Sequence, residues 1–382
     1  MDYFNILPME IIYDILTRIP AELVLDCKSV SKTWRNLIQD PSFSKMHVNR
    51  LNHHVESGEF GFLALESDMR RLYYFEYIEN HEKRIDGIRR INLTPPLKCD
   101  KFVGSVNGLI CLYEWSDTDR FCICNPLTKE YVFLPELMQK PGQYCSWVGF
   151  GYHPSTNEYK VVRVHELKTE PSFGEVMVYT LGSGSGWRSI GKFHLKFNHS
   201  CYSVNGIFVD GALHWKDREG MILVFDLADE NFRAHVLPPP PSPTHSCFSI
   251  GVLNGFLYCA QRYHGSAVSY QLYLDLWLHR KKNVNYETNE HQSLGWTKEF
   301  TAAANKNVFA FTKSGSFLSY SSTYVNIYDP KGATAERLVD FRKQICQISS
   351  HKNTLVSLKD LGEENTKIRS KKAAINQPSS CS

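Results

Sequence analysis

A strand followed by a turn recurs six times in the sequence, and this repeat limits the possible folds more than any other feature. The six strand segments share apolar and aromatic residues that end near a polar turn, and they lie at residues 72–75, 121–126, 176–179, 222–226, 270–273 and 325–330. Their starting points are on average about 51 residues apart. A regular period of this length indicates one repeated supersecondary unit rather than several unrelated domains.

Asn-Gly pairs follow an apolar residue in three of these units, at Asn107-Gly108, Asn205-Gly206 and Asn254-Gly255. Both residues of such a pair tolerate positive φ, so each pair predicts a tight hairpin turn. Each unit then forms an antiparallel sheet of about four strands, and six units predict a six-bladed, kelch-like β-propeller. Residues 345–358 are predicted to complete the first blade. The alternative is an open β-sandwich or two unrelated β domains, because the unit is degenerate and lacks a double-glycine signature.

The composition excludes several classes of protein. Lys and Arg total 43, Asp and Glu total 40, and the net charge of +3 is spread without a block of like charges, so we expect no nucleic-acid partner. No apolar run approaches the ~18 residues of a membrane span, and we expect no membrane partner. Asp2 stands where a signal peptide carries positive charge. The sequence therefore predicts a chain that is not secreted.

The eleven cysteines form no recognisable zinc or disulfide pattern. Only Cys122 and Cys124 are close together, and they alternate on one predicted strand without the CxxC spacing of a metal site. We interpret the cysteines as reduced core residues. This use of cysteine predicts a cytoplasmic and/or nuclear protein.

The first fifty residues follow a helical period instead of the strand period. Ile11, Ile12, Ile15, Leu16 and Ile19 recur at helical spacing up to Pro20. Two further short helices are predicted, one at residues 21–30 and one that begins after Ser29 or Ser31 and stops before residue 41. A three-helix bundle of about 40 residues is near the lower limit for independent folding, so it needs a neighbouring domain or a partner protein.

This segment resembles an F-box domain in residue type, order and spacing. The matching stretches are residues 7–11 (LPMEI), 15–20 (ILTRIP), 27–34 (CKSVSKTW) and 40–43 (DPSF), while Val24 and Cys27 replace the more usual Leu and Phe. The resemblance implies docking onto the SKP-family adaptor of a cullin–RING ubiquitin ligase. The family pattern assigns the adaptor contact to Leu7, Pro8, Ile11, Ile15, Leu16, Val24, Val30 and Trp34, some of which must face the bundle's own core. A helical cap on the following domain is the alternative interpretation.

The repeat region resembles the F-box-associated domain of plant F-box proteins. The matching segments are residues 121–135, 149–164, 209–215 and 222–238. This resemblance implies a kelch-like propeller and a non-catalytic subunit that presents an unidentified protein substrate for ubiquitination. Two other functions stay open: an adaptor-bound scaffold that acts outside a ligase, and a propeller enzyme with an unrelated helical cap.

Four longer connections are the candidate substrate-binding loops, because function concentrates on loops that a rigid scaffold holds. They surround Trp115 (residues 115–120), His165 (165–174), Arg262 (262–266) and Arg280 (279–293). For each loop taken singly, an ordinary solvated connection is the alternative interpretation.

No pattern in the sequence indicates a catalytic site, a metal or another cofactor. Residues 186–193 approach a phosphate-binding loop, but Phe193 stands where a hydroxyl would bind magnesium, and we predict a strand connection. The pair His53-His54 has no further ligand at metal-binding spacing. The predicted organisation is an F-box domain at residues 1–48, a linker at 49–60, a propeller at 61–360 and a disordered tail at 361–382, whose polar composition is typical of disorder.

Overall fold

The computed structural model describes residues 7–53, 59–67, 71–79, 85, 88–91, 101–114, 118–138, 146–167, 170–196, 203–240, 247–264, 272–281, 294–303, 307–329 and 334–368. These residues form an N-terminal helical region and six small β-sheets. Within these ranges, no helix combines the length and the apolar character that a bilayer span requires.

The helical region has four helices where the sequence predicted three. They are α1 (Met9–Thr17), α2 (Ala21–Cys27), α3 (Lys32–Gln39) and α4 (Pro41–His53). The Ser31 hydroxyl caps α3 by accepting a hydrogen bond from the Trp34 amide at 3.1 Å. Pro41 begins α4 instead of only ending α3, because proline suits the first helical position and the Asp40 carboxylate accepts from the Ser42 amide at 2.8 Å. The predicted linker therefore begins inside a helix.

The sheets of blades 1 to 3 each have four main strands, in order from the centre of the propeller outward. Blade 1 consists of β26 (Ile345–Ser350), β1 (Glu59–Glu66), β2 (Leu72–Ile78) and β3 (Ile88–Ile91). Blade 2 consists of β4 (Lys101–Val106), β5 (Leu109–Glu114), β6 (Thr118–Cys124) and β7 (Glu130–Phe133), with β27 (Lys367–Ile368) outside β7 and β8 (Leu137–Met138) paired with β6. Blade 3 consists of β9 (Ser146–His153), β10 (Glu158–Leu167), β11 (Glu170–Thr180) and β12 (Trp187–His194).

Blades 4 to 6 repeat the same antiparallel order. Blade 4 consists of β14 (Ile207–Val209), β15 (Ala212–Lys216), β16 (Ile222–Asp226) and β17 (Asn231–Val236), and β13 (Ser203–Asn205) before it pairs in parallel with β9. Blade 5 consists of β18 (Cys247–Leu253), β19 (Phe256–His264), β20 (Leu272–Lys281) and β21 (Leu294–Ala303). Blade 6 consists of β22 (Asn307–Phe311), β23 (Phe317–Ser321), β24 (Tyr324–Asp329) and β25 (Thr334–Asp340).

The inner strands close into a ring, which confirms the predicted six-bladed propeller. Each of β26, β4, β9, β14, β18 and β22 contacts the inner strand on either side of it. The six segments that carried the repeat all coincide with the third strand of a blade. The C-terminal β26 completes blade 1 by pairing antiparallel with β1, so the two ends of the propeller chain are held in one sheet.

The apolar core lies between neighbouring blades. Trp147 of blade 3 and Trp215 of blade 4 are both fully buried, and their rings stack at 6.2 Å with an interplanar angle of 18°. Separate buried clusters fill the contacts between blades 1 and 2, 2 and 3, 5 and 6, and 6 and 1. This packing explains why the repeat is apolar although each blade is thin.

Two of the three predicted Asn-Gly turns are confirmed and one is wrong. Asn107-Gly108 and Asn254-Gly255 have positive φ and connect the first two strands of blades 2 and 5. Asn205-Gly206 instead continues the chain from β13 into β14, where the Gly206 amide donates to the Val148 carbonyl at 2.6 Å. A Cβ on Gly206 would lie 2.6 Å from Cε2 of Trp215, so the glycine permits close packing and does not form a turn. The turn falls at Asp210-Gly211.

The predicted start of the disordered tail, residue 361, is too early in the chain. Residues 361–368 lie against the propeller, where the Glu363 side chain is buried and β27 pairs with β7. Similarly, only residues 345–350 of the stretch predicted to complete blade 1 form its inner strand. Long-range contacts that local composition does not reveal account for both corrections. Residues 369–382 lie outside the described ranges.

Candidate functional site

Helix α1 carries two apolar stripes with different surroundings. Ile12 and Leu16 are four residues apart and face the bundle core, with 3% and 0% exposure. Ile11 and Ile15 have the same spacing on the neighbouring stripe, but they are 47% and 39% exposed. Since both stripes are equally apolar, helical periodicity alone cannot explain the exposed one.

The structure divides the residues that the family pattern assigned to the adaptor contact. Those that remain exposed are Leu7, Pro8, Ile11, Ile15 and Val30, which we call the adaptor face. Leu16, Val24 and Trp34 are instead buried in the core of the helical bundle. Their side chains pack with other residues of the helices and with Leu355, so these three are the assigned residues that face the bundle's own core. The adaptor contact of the other five stays a prediction.

Three exposed apolar residues were not among the assigned contacts: Met9, Leu23 and Met46. Leu23 and Val24 are neighbours in α2, and consecutive helical residues point about 100° apart. Val24 therefore enters the core while Leu23 is 54% exposed. Only the burial of Val24 distinguishes these two residues, and that burial depends on tertiary packing, which the sequence does not show.

Polar contacts hold α4 against α1 behind the adaptor face. The Asp14 carboxylate contacts the guanidinium groups of Arg18 and Arg50, each at 2.8 Å. Hydrogen bonds from these two arginines lower the pKa of Asp14. His47 is fully buried, with Nε2 2.9 Å from the Ile19 carbonyl oxygen, and burial lowers the pKa of its imidazole. The neutral ring therefore donates from Nε2 and joins α4 to the α1–α2 connection.

The opposite side of the helical region rests on the propeller chain. Leu355 is 7% exposed and belongs to the core of the bundle, while Leu127 from blade 2 packs at its edge. Val48 of α4 joins the buried cluster between blades 2 and 3. The helical region is thus a cap on one side and presents the adaptor face on another.

The antiparallel order of each blade sorts its connections onto two faces of the propeller. The turns between first and second strands and between third and fourth strands lie on the face that bears the helices, which we call the helical face. The connections between second and third strands, and from one blade to the next, lie on the opposite or distal face. Consistent with this, Asn107 in a first-to-second turn and Asn125 at a third-to-fourth turn both contact the chain segment beneath the helices.

Three of the four candidate loops belong to the distal face. Those around Trp115, His165 and Arg262 connect second and third strands, whereas the loop around Arg280 connects third and fourth strands on the helical face. Residues 115–117, 168–169, 265–266 and 282–293 of these loops are outside the described ranges. His165, Arg262 and Arg280 lie within strands, because these hairpins extend further than the sequence predicted.

The described side chains of these candidates are engaged within the propeller. His165 is 4% exposed, with Nδ1 3.2 Å from Nη1 of Arg163 and Nε2 3.1 Å from Oε2 of Glu175. Arg163 also forms a buried ion pair across the blade boundary with Asp119. Arg280 pairs with Glu299 at 2.6 Å, and Arg262 donates to Asn307 at 3.0 Å. These contacts stabilise the scaffold, and target contact by the loop residues between the strands stays a prediction.

Burial acts against cysteine chemistry at three described thiols. It raises the pKa of Cys259 to about 12 and also raises the pKa of Cys27 and Cys346. A thiol that carries ubiquitin as a thioester needs the opposite shift. Among the described residues, no cluster of three or more His, Cys, Asp or Glu side chains is arranged to hold a metal ion.

Comparison with known proteins gives matches to both regions. The F-box associated beta propeller domain family matches residues 61–354, and the F-box domain family matches residues 4–46. The chain is similar to the F-box protein CPR1 of Arabidopsis thaliana, with 29% identity over 340 residues that cover 80% of this chain and 75% of that protein. It is also similar to the F-box protein At3g07870 of the same plant, with 27% identity over 319 residues, covering 76% and 72%.

Among solved structures, the β-propeller domain of the Trilobed protease from Pyrococcus furiosus aligns with 60% of this chain and 78% of that chain. The sequence identity is 10% and the TM-score is 0.31, so this likeness adds nothing to the fold described above.

Proposed function

This chain belongs to the F-box proteins that carry an F-box-associated β-propeller domain, and from that premise we propose that it is the target-selecting subunit of a SKP/cullin/F-box ubiquitin ligase. In this role the helical region binds a SKP-type adaptor, and the adaptor connects it to cullin and RING subunits. The propeller binds the target protein. We expect the complex to act in the cytoplasm or nucleus.

The adaptor face is the single observation that carries the proposal. Its members are exposed beside a well-packed bundle core, and Ile11 and Ile15 form one stripe of a helix whose other apolar stripe is buried. An amphipathic helix surface of this kind suits a partner that covers it. Because the propeller supports the opposite side of the bundle, docking of the adaptor requires no unfolding.

Target binding is assigned to the distal face. The helices occupy part of the helical face, whereas three of the candidate loops lie on the other side of the ring. A target on the distal face is then held away from the adaptor but at a fixed position relative to it. The chain acts without a chemical step of its own, because holding a target near a loaded conjugating enzyme raises the effective concentration of the reacting groups.

Adaptor binding is tested by co-purification of the full chain with a SKP-type adaptor. The double variant Ile11→Asp/Ile15→Asp is expected to lower adaptor recovery at least about tenfold, because two charges replace two exposed apolar side chains of the adaptor face. Leu7→Ala/Pro8→Ala tests the start of the same face with milder changes. Leu237→Asp is the matched control, since Leu237 is 68% exposed on a distal connection. Full adaptor recovery with both double variants would defeat the assignment.

Cullin co-purification separates the ligase subunit from an adaptor-bound scaffold. The wild-type chain should recover cullin together with the adaptor, and both should be lost with Ile11→Asp/Ile15→Asp. Proximity labelling with the proteasome blocked should then identify targets that accumulate ubiquitin only with the wild-type chain. Recovery of the adaptor without cullin would favour the scaffold.

A further inference from the structure

The segment after β26 joins three parts of the molecule. We call residues 351–368 the C-terminal strap. It leaves the inner strand of blade 1, passes between the helical region and blades 2 and 3, and ends as β27 on the outer edge of blade 2. Apart from β27 it contains no strand or helix, so side-chain contacts determine its path.

The first part of the strap is tied to the helices. Leu355 lies in the core of the bundle, so a residue of the strap completes a cluster that the helices otherwise form. The Asn353 amide donates a short hydrogen bond to the Glu22 carboxylate of α2. The Lys352 ammonium donates to the Leu51 carbonyl of α4 at 2.9 Å. The strap therefore contacts both α2 and α4.

Blade 2 holds the same part of the strap from the other side. Asn125 is fully buried, and its Nδ2 donates to the carbonyl oxygens of Thr354 at 3.0 Å and Val356 at 2.8 Å. These two carbonyls flank Leu355, so one amide group fixes the residue that enters the helical core. Glu130 accepts from the Leu358 amide at 2.7 Å and from the Ser357 hydroxyl at 3.1 Å.

A comparison within the repeat explains why this position carries an amide. Asn125 directly follows the third strand of blade 2, and Asp226 is the last residue of the third strand of blade 4. Each carries an Oδ1 that accepts from two backbone amides of the following turn. A carboxylate is therefore sufficient for the turn, as in blade 4. Only an amide can also donate hydrogen bonds, and in blade 2 the strap passes within its reach.

Blade 3 secures the far part of the strap. Glu363 is 6% exposed and accepts from the Gly182 amide at 2.8 Å and from the Tyr179 hydroxyl at 3.2 Å. Burial and the nearby Glu363 carboxylate raise the pKa of Tyr179, so the phenol stays protonated and donates. The strap is thus fixed beyond the helical contact as well as at it.

We propose that Asn125 is a positioning residue that clamps the C-terminal strap and thereby holds the helical region in one orientation on the propeller. The role of the clamp rests on the proposed function, since the orientation of the helical region sets where a target on the distal face lies relative to the adaptor. The clamp itself is a property of the chain alone and can be tested without any partner.

The test compares Asn125→Asp with Asn254→Asp in the full chain. The carboxylate that Asn125→Asp introduces keeps the acceptor for the turn amides but faces two carbonyl oxygens, so the strap should be released. Asn254 lies in an exposed turn on the same face, and it contacts Phe311 instead of the strap, which makes it the matched control. Hydrogen exchange is followed separately in α2 and α3 and in β5 and β6, and small-angle scattering reports the spread of shapes.

With Asn125→Asp we expect exchange in α2 and α3 to accelerate at least about tenfold and the scattering distribution to broaden. Exchange in β5 and β6 should change much less, although Val356 and Leu358 of the strap also pack in their cluster. Asn254→Asp should match the wild type. Equal acceleration in β5 and β6 would make Asn125 a folding residue of blade 2 and overturn the proposal, as would no change in the helices. If Asn125→Asp does not fold, Asn125→Ser decides by the same criteria, because a serine hydroxyl can support the turn but offers one donor where the amide offers two.

Adaptor recovery is measured in parallel and keeps the two proposals apart. If the adaptor binds the wild type and Asn125→Asp equally while the helices loosen, both proposals hold. If the wild type does not bind the adaptor, the proposed function fails, but the exchange rates still decide on the clamp.

Discussion

The helical region and the propeller differ in how many large apolar side chains they leave exposed. Of the ten large hydrophobic side chains that are exposed among the described residues, seven lie in the helical region: Leu7, Met9, Ile11, Ile15, Leu23, Val30 and Met46. The described parts of the much longer propeller and strap expose only Leu237, Phe256 and Ile368. A ring of blades covers its own surfaces by closure, whereas short helices depend on neighbours. The exposed apolar residues therefore mark the part of the chain built for a partner.

The largest effect is expected when the ring is opened. Truncation after Gln344 removes β26, whose Ile345 and Ile348 are buried in the cluster between blades 1 and 6. The propeller should then lose its cooperative melting transition and bind hydrophobic dye. Truncation after Ser350 spares β26 but removes the strap and the last residues of the chain, and it should keep the propeller while loosening the helices. Truncation after Ile368 keeps every contact described above. A wild-type melting curve for the first truncation would contradict closure by β26.

The buried ion pair between blades 2 and 3 should give the next largest effect. Asp119 and Arg163 are 0% and 3% exposed, and Tyr113 donates to Asp119 at 2.6 Å. Arg163→Met leaves a buried carboxylate without its cation, so the free energy of unfolding in urea should fall by about 3–5 kcal/mol. Lys196→Met removes the exposed pair with Glu219 at 2.6 Å and should cost less than about 1 kcal/mol. Equal small losses would mean that solvent reaches the interior pair.

The two stripes of α1 provide the sharpest test of the comparison within one helix. Leu16→Ala should lower the stability of the helical region by about 3 kcal/mol, because it leaves a cavity in the core. Ile15→Ala removes an exposed side chain and should change stability by less than about 1 kcal/mol while weakening adaptor recovery. Hydrogen exchange of the helices gives the stability. The same loss of stability from both variants would mean that both stripes are buried.

Much of the fold follows from the sequence because the signals are local. The six third strands were predicted from apolar runs, and the turns at Asn107 and Asn254 from the preference of Asn-Gly for positive φ. The adaptor face was predicted only in part, since Ile11 and Leu16 look alike in sequence. Their difference arises from tertiary packing, because Leu16 belongs to a buried cluster that residues of all four helices and the distant Leu355 form together.

The errors have two physical origins. Gly206 was predicted to form a turn, but Trp215 from the neighbouring strand lies against it. Residues 361–368 have a polar composition, and they become part of the fold through the partners of Glu363 and the pairing of β27 with β7. These two errors come from tertiary contacts that no local pattern shows. Pro41 is different, because a proline can follow one helix and also begin the next, and here it does both.

The smallest expected effect is a pH dependence at the start of the strap. His351 is 2% exposed, and burial lowers its pKa to about 4. Nδ1 lies 2.8 Å from the Ser105 hydroxyl and Nε2 lies 3.1 Å from Oδ1 of Asn353, so the neutral ring has both hydrogen bonds satisfied. Between pH 4 and about 6.5 the unfolded chain binds a proton at this residue that the folded chain does not. Stability therefore falls as the pH drops through this window.

His351→Gln removes the titrating imidazole but keeps a side chain that can donate and accept hydrogen bonds. The loss of unfolding free energy between pH 7 and pH 4 should be smaller in the variant by about 2–3 kcal/mol, as measured by urea unfolding at each pH. The exposed His235 serves as the control, and His235→Gln should follow the wild type. His47, His214 and His279 also have lowered pKa values through burial, so the difference between the two variants is the informative quantity. If the unfolding free energies of the two variants depend on pH in the same way, His351 is open to solvent. The junction where the propeller meets the strap is then open as well.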